Sequence, residues 1–171
     1  MRGSVRILGI DPGSRVTGFG VIDWQPQKQS LVDAGVIRTG SGEFNARLEC
    51  IFDGIRNLVE RVQPNCVAIE DVFMHKNAAS ALKLGAARSA AICATFGSDV
   101  TLAEYSPRRI KQAVSGFGGA DKQQVHRMMC TLLQADATLP TDATDALAVA
   151  FCHGSTMKLP AAMQIQHGAR T

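Results

Sequence analysis

The chain has 171 residues, 46% of them apolar and 19% charged, with a formal net charge of +3. That length suits one domain able to bury its own core, and no apolar run approaches the ~18 residues of a membrane-spanning helix. A charge of +3 is too mild to name a partner by itself, but residues 75–128 carry eight lysines and arginines against three acids, so a polyanion is expected to meet the middle of the chain.

The amino terminus enters the first strand without the apolar stretch of a signal peptide, so export is not expected. Five cysteines (Cys50, Cys66, Cys93, Cys130 and Cys152) are odd in number and form no Cys-x-x-Cys pair. They read as free thiols in a reducing compartment, and the expected location is the cytoplasm.

In chain order, the near-continuous apolar run Val5 to Ile10 reads as a buried strand. Pro12 biases the residue before it towards extended geometry, so Asp11 is expected as the last strand residue, at the carboxyl edge where open α/β sheets bind ligands. Thr17–Trp24 and Leu31–Thr39 read as second and third strands, joined to the first in an antiparallel meander. The period then changes: Leu48, Ile51, Phe52, Ile55, Leu58, Val59 and Val62 recur at three- and four-residue steps, predicting a helix from Phe44 to Val62 that stops before Pro64.

Cys66 to Glu70 is a fourth strand, again ending on acid. A strand–helix–strand crossover makes it parallel to its neighbour and brings Glu70 to the edge where Asp11 lies. A helix over 78–96 carries small residues on two adjacent lines, Ala81, Gly85, Ser89, Cys93 and Leu82, Ala86, Ala90, Ala94. One face must pack on the sheet, and another could pack against a second copy. Val100–Tyr105 is the fifth strand; Ser106-Pro107 caps a short helix to about Val114. After Gly116-Phe117-Gly118-Gly119 comes a helix with Val125, Met128, Met129, Leu132 and Leu133 inside. Thr141 is the expected cap of a last helix from Asp142 to about Cys152. The prediction is one α/β domain over 1–154 with a five-stranded mixed sheet, three antiparallel strands then two parallel, flanked by helices. Residues 155–171 read as a flexible tail.

Asp142 and Asp145, three apart, share one face of the last helix, and the stripe behind them, Ala146, Val149 and Ala150, is apolar. Acids in a first helical turn complement the macrodipole, but that does not account for an apolar stripe continuing from them. If this helix crosses the edge formed by Asp11 and Glu70, four carboxylates converge with no lysine or arginine tied to them by sequence. Hard oxygen donors without His or Cys suit Mg²⁺, with Mn²⁺ as substitute, and two such ions serve phosphodiester cleavage. Gly116 to Lys122 is not a Walker loop, since the spacing is wrong and no Ser or Thr follows the lysine.

The order of elements resembles the ribonuclease H fold. More narrowly, Leu8-Gly9-Ile10-Asp11-Pro12-Gly13-Ser14-Arg15-Val16-Thr17-Gly18, Ala68-Ile69-Glu70-Asp71-Val72-Phe73, Ser80-Ala81-Leu82-Lys83-Leu84-Gly85 and Asp142-Ala143-Thr144-Asp145-Ala146-Leu147-Ala148 resemble the RuvC Holliday-junction resolvases over about residues 5–153. The resemblance implies a homodimeric Mg²⁺-dependent endonuclease of recombination and repair. It nicks two opposed strands of a four-way DNA junction, leaves 5′-phosphate and 3′-hydroxyl ends, and works with a branch-migration motor complex. It implies Asp11, Glu70, Asp142 and Asp145 as catalytic metal ligands, Lys111 and Lys122 as DNA-contacting lysines, and Phe73 as an aromatic that meets bases near the crossover. Arg108, beside Lys111, and Lys76, in the segment after Glu70, are further candidates for phosphate contact.

Two rival classes share features with this chain. An actin- or sugar-kinase-like ATPase has a similar first hairpin, Ile10-Asp11-Pro12-Gly13 through Gly18-Phe19-Gly20, but needs two lobes where 171 residues leave room for one. A non-catalytic junction-binding scaffold would have no use for four intact acids.

Overall fold

The computed structural model describes residues 4–71 and 77–157. Its elements run β1 (Val5–Asp11), β2 (Val16–Gln25), β3 (Lys28–Arg38), α1 (Phe44–Val62), β4 (Cys66–Glu70), α2 (Ala78–Cys93), β5 (Thr101–Tyr105), α3 (Pro107–Ser115), α4 (Lys122–Leu133) and α5 (Thr141–Thr156). The five strands form one sheet in the order β3-β2-β1-β4-β5. β1, β2 and β3 pair antiparallel, β4 lies parallel to β1, and β5 parallel to β4.

Strand periodicity sorts the core into two clusters. Leu8, Ile10, Val67 and Ile69 point to one face, under Ile51, Ile55, Leu58 and Val59 of α1 and Ala87 and Ala91 of α2. Ile7, Cys66 and Ala68 point to the other, against Leu147, Ala148, Val149 and Ala150 of α5, with α3 and α4 beyond. The sheet is thus the middle of three layers. The same alternation has a consequence for the acids: burying Ile10 and Ile69 under α1 turns the next residues, Asp11 and Glu70, towards α5.

Helix α5 can lie close because the strands beneath it lack side chains. A Cβ on Gly9 would stand 2.7 Å from the Ala150 amide nitrogen, one on Gly20 2.7 Å from the Leu147 amide nitrogen, and one on Gly18 2.5 Å from the Asp142 carbonyl carbon. Gly9 pairs with Gly20, and Gly18 pairs with Asp11. Together they make a trough across β1 and β2 that fits only a bare backbone.

Several boundaries differ from expectation. The β2–β3 hairpin is longer than its apolar pattern, closing through the tight turn at Pro26 and Gln27. Backbone pairing carries polar residues such as Gln25 and Gln29 at a sheet edge. Val32 is the extra residue of a bulge, since Val21 pairs with Asp33 but Ile22 with Leu31. Helix α2 ends at Cys93 rather than Phe96, because Thr95 N donates to Ile92 O, three residues back, and the chain turns at Gly97 with φ +82°. Its buried positions are Ala87 and Ala91, packed on α1, while Leu82 is 76% exposed. In α4 Cys130 is buried, and Leu132, expected inside, is 42% exposed. Thr141 is the first residue of α5 and does not cap it; Pro140 precedes the helix and accepts from Ala143 N and Thr144 N through its carbonyl. The helix also runs on to Thr156, so Ser155 and Thr156, expected in the tail, are helical; Thr156 Oγ1 bonds the hydroxyl of Tyr105 at 3.0 Å.

Candidate active site

Asp11 and Glu70 end adjacent parallel strands, one pair beyond the matched Ile10 and Ile69. The loop after Asp11 is pinned by a buried threonine: Gly13 N donates to Thr17 Oγ1 at 3.3 Å, and that hydroxyl donates to Gly13 O at 2.9 Å. Asp142 and Asp145 enter from above on the first turns of α5, and Asp145 is only 15% exposed. All four acids reach one neighbourhood, because the Lys122 ammonium feels Asp145, Asp11 and Asp142, and Glu70 feels Asp145 and Lys122.

Burial and mutual repulsion set the electrostatics. Asp11 is pushed up to about 8, first by burial and then by the charge of Glu70, with which it shares a hydrogen bond. Glu70 is also raised, chiefly by burial, with Asp145 adding to the effect and Lys122 and Lys111 opposing it. The pair therefore holds on to a proton that isolated carboxylates would give up.

Lys122 supplies the cation that sequence alone did not tie to the acids. Its Nζ donates to Asp145 Oδ2 at 2.9 Å, and its own pKa is raised by that bond. Asp121 caps α4 by accepting from Gln124 N, which puts Lys122 at the helix's first position, aimed at α5. Lys111 joins it from α3: both lysines, Glu70 and Asp145 line one cleft of about 60 Å³ floored by Ile110 and Val125.

Among the described residues no three His, Cys, Asp or Glu side chains are gathered closely enough to hold a metal ion as they stand. The acids are paired off instead, Asp11 with Glu70 and Asp145 with Lys122. The donor set nonetheless fits a hard divalent cation, being all carboxylate oxygen, partly buried, and offset by one lysine paired with Asp145.

The remaining sequence candidates fall elsewhere. Arg108 is exposed on α3, with its Cγ against the backbone of Gly118 rather than in the acidic cleft. Phe73 and Lys76 lie outside the described residues. Two supporting contacts were missed. His126 of α4 bonds Thr144 Oγ1 at 2.9 Å through Nδ1 and faces Ala137 O at 3.2 Å through Nε2, tying down the turn between Asp142 and Asp145. Arg88 of α2 bonds Glu104 at 2.5 Å and approaches Asp71 at 3.9 Å, bracing the exit of β4. Neither pair has a recognisable spacing in sequence. The glycine trough did: Gly9, Gly18 and Gly20 all fall on the strand face towards α5.

Residues 7–153 match the family model described as crossover junction endodeoxyribonuclease RuvC. The protein of that name from Methylococcus capsulatus is 55% identical over 148 residues, covering 86% of this chain and 89% of its own. The structure of Thermus thermophilus RuvC in complex with a Holliday junction substrate superposes with a TM-score of 0.81 at 32% identity, covering 87% of this chain and 92% of that one. The yeast mitochondrial Holliday junction resolvase, at 13% identity and a TM-score of 0.69 over 88% of this chain and 78% of its own, shares the ribonuclease H-like fold. Agreement over nearly the whole described domain, in sequence and in fold, settles the classification: the chain belongs to the RuvC family of crossover junction endodeoxyribonucleases.

Proposed function

We propose that this chain resolves four-way DNA junctions by paired, metal-dependent nicks in recombination and repair, leaving 5′-phosphate and 3′-hydroxyl ends. The observation that carries the reading is a cleft lined by Glu70 of β4, Asp145 of α5, Lys111 and Lys122, with Asp11 of β1 hydrogen-bonded to Glu70 and Asp142 of α5 acting on the Lys122 charge. In this reading the four acids hold Mg²⁺, with Mn²⁺ able to substitute and two ions per site. Bound there, the cations supply charge stabilisation for attacking and leaving oxygens of the phosphodiester.

The chain's own groups do the rest. Asp11 and Glu70 release their shared proton on ligation, so the site loads more readily as pH rises. Lys111 and Lys122 flank the acids and take the phosphate backbone, fixing the strand over the cleft. Arg108 extends that basic track along α3, and Phe73 and Lys76, which follow Glu70 in the sequence, also meet the DNA, Phe73 by stacking on bases near the crossover. Apolar Ile110 and Val125 under the cleft limit the water that would compete for these charges.

Two opposed cuts call for two sites about a two-fold axis, and a homodimer supplies them. The α2 surface supports that arrangement: Leu82 is exposed, Gly85 has open space around it, and small residues flank both. The family's branch-migration motor complex is the proposed partner. The enzyme works in the cytoplasm, a reading in keeping with five free cysteines and with the absence, among the described residues, of a helix long and apolar enough to cross a membrane.

The test is a synthetic four-way junction incubated with and without Mg²⁺, beside a linear duplex of the same sequence. Paired nicks in the junction alone, dependent on the ion, are expected. Equal cutting of the linear duplex, or metal-independent junction binding without nicking, would overturn the reading.

A further inference from the structure

The turn between α3 and α4 holds an aromatic that the chemistry above does not use. Phe117 is 66% exposed, unusual for a phenylalanine, on a turn whose flanking helices each send a lysine into the acidic cleft. The turn is built to hold it. Gly116 leaves α3 at φ +73°, and Ser115 Oγ accepts from Phe117 N at 3.2 Å. Ala120 N donates to Phe117 O at 3.2 Å. The ring rests over the Gly119 backbone, where a Cβ would come within 2.7 Å of its Cε1 and Cζ, and Gly118 next to it lies against the Arg108 side chain. One side of the ring is therefore supported by bare backbone while much of the rest faces solvent, with cationic side chains on both flanking helices.

We propose that Phe117 is a stacking platform for an unstacked base of the junction, on the strand whose phosphates Lys111 and Lys122 hold, and that it contributes to the choice of cleavage sequence. Aromatic rings on a basic track are how single-stranded bases are held, and a ring already fixed by its turn loses little freedom on binding. Lys111 lies about 6 Å of helix rise before the end of α3, and a DNA strand advances about 3.4 Å per nucleotide. The ring thus meets a base within about four nucleotides of the cut. This assignment rests on the junction-cutting reading and adds a second aromatic contact to it, from a different element than Phe73.

The test compares wild type with Phe117→Ala and Phe117→Trp on a panel of four-way junctions varied base by base within four nucleotides of the cut. The readouts are single-turnover nicking, junction affinity, melting temperature, and the fluorescence of 2-aminopurine placed at each varied position. Phe117→Ala is expected to melt as wild type does, to lose about tenfold in nicking, to discriminate less among sequences, and to leave the 2-aminopurine signal stacked as in free DNA. Phe117→Trp should restore both rate and preference. Wild-type rate and preference in Phe117→Ala would overturn the platform while leaving the nuclease reading intact, as would a loss that tracked a lowered melting temperature or a changed oligomeric state. A wild-type protein that leaves every junction uncut would overturn the nuclease reading and the platform with it.

Discussion

Replacing Gly18 by alanine puts the proposed site under its most specific stress. Gly18 pairs with Asp11 on β1 and lies directly beneath Asp142 of α5. An added Cβ would stand 2.5 Å from the Asp142 carbonyl carbon, where carbon atoms in contact normally keep about 3.5–4.0 Å. Something must therefore retreat by about 1 Å. If α5 lifts, it carries Asp142 and Asp145 away from Asp11 and Glu70; if β2 sinks, it carries its partner Asp11 away from α5. Both routes spread the acids. A misplacement of about 1 Å can cost about a hundredfold in rate, and overpacking of this kind costs about 1–3 kcal/mol, or roughly 2–9 °C in melting temperature for a chain of this size. Nicking of a four-way junction under single-turnover conditions and a thermal melt check both numbers, with junction affinity expected to survive because the proposed phosphate contacts come from α3 and α4. Gly42→Ala, where nothing lies within 4 Å of the new Cβ, is the control and should change neither. Wild-type cutting and melting in Gly18→Ala would refute the view that the trough sets the position of the acids.

Further outcomes follow from the same geometry. Glu70→Gln or Asp142→Asn should abolish nicking and leave junction binding largely intact; wild-type cutting in either would remove these acids from the proposed mechanism. The metal-free protein should lose stability as pH rises from about 4 towards about 8, because Asp11 and Glu70 together keep a proton in the folded state that the unfolded chain has already released. The slope is at most about 1.4 kcal/mol per pH unit for that proton. Asp11→Asn should flatten it and Mg²⁺ should reverse it; a metal-free melting temperature that rises across that window would contradict the raised proton affinities. Lys122→Ala removes the charge that favours ionised Asp11 and Glu70, so its nicking profile should shift to higher pH as well as weaken. An unmoved profile would show that Lys122 serves DNA alone.

What sequence could and could not foretell divides along physical lines. β1 and β4 were legible because a strand buried on both faces is a continuous apolar run, and α1 was legible from Phe44 to Val62 because its stripe is regular and Pro64 closes it. The outer hairpin was less so: at a sheet edge the backbone bonds supply the pairing, and polar residues such as Gln29 leave no period to read. Leu132 was misassigned because α4 is covered by α5 along a narrower face than its apolar residues span. The approach of Asp11 and Glu70 was foreseeable from strand direction and the crossover connection, whereas the crossing of α5 over their edge entered only as a condition. The Lys122–Asp145 pair was not foreseeable, since 23 residues and a turn separate the two, and only the packing of α4 on α5 brings them together.

The route by which the acids meet also sets when this protein can act. Asp145 is made about 130 positions after Asp11, so on a ribosome adding about 5–20 residues per second the cleft stays incomplete for on the order of ten seconds after Asp11. Until α5 settles into the glycine trough, the chain offers only two of the four acids of the proposed site. Contacts between such distant parts of a chain form late in folding. On the proposed site, a copy whose α5 has not docked lacks two of the four acids and is expected not to cut.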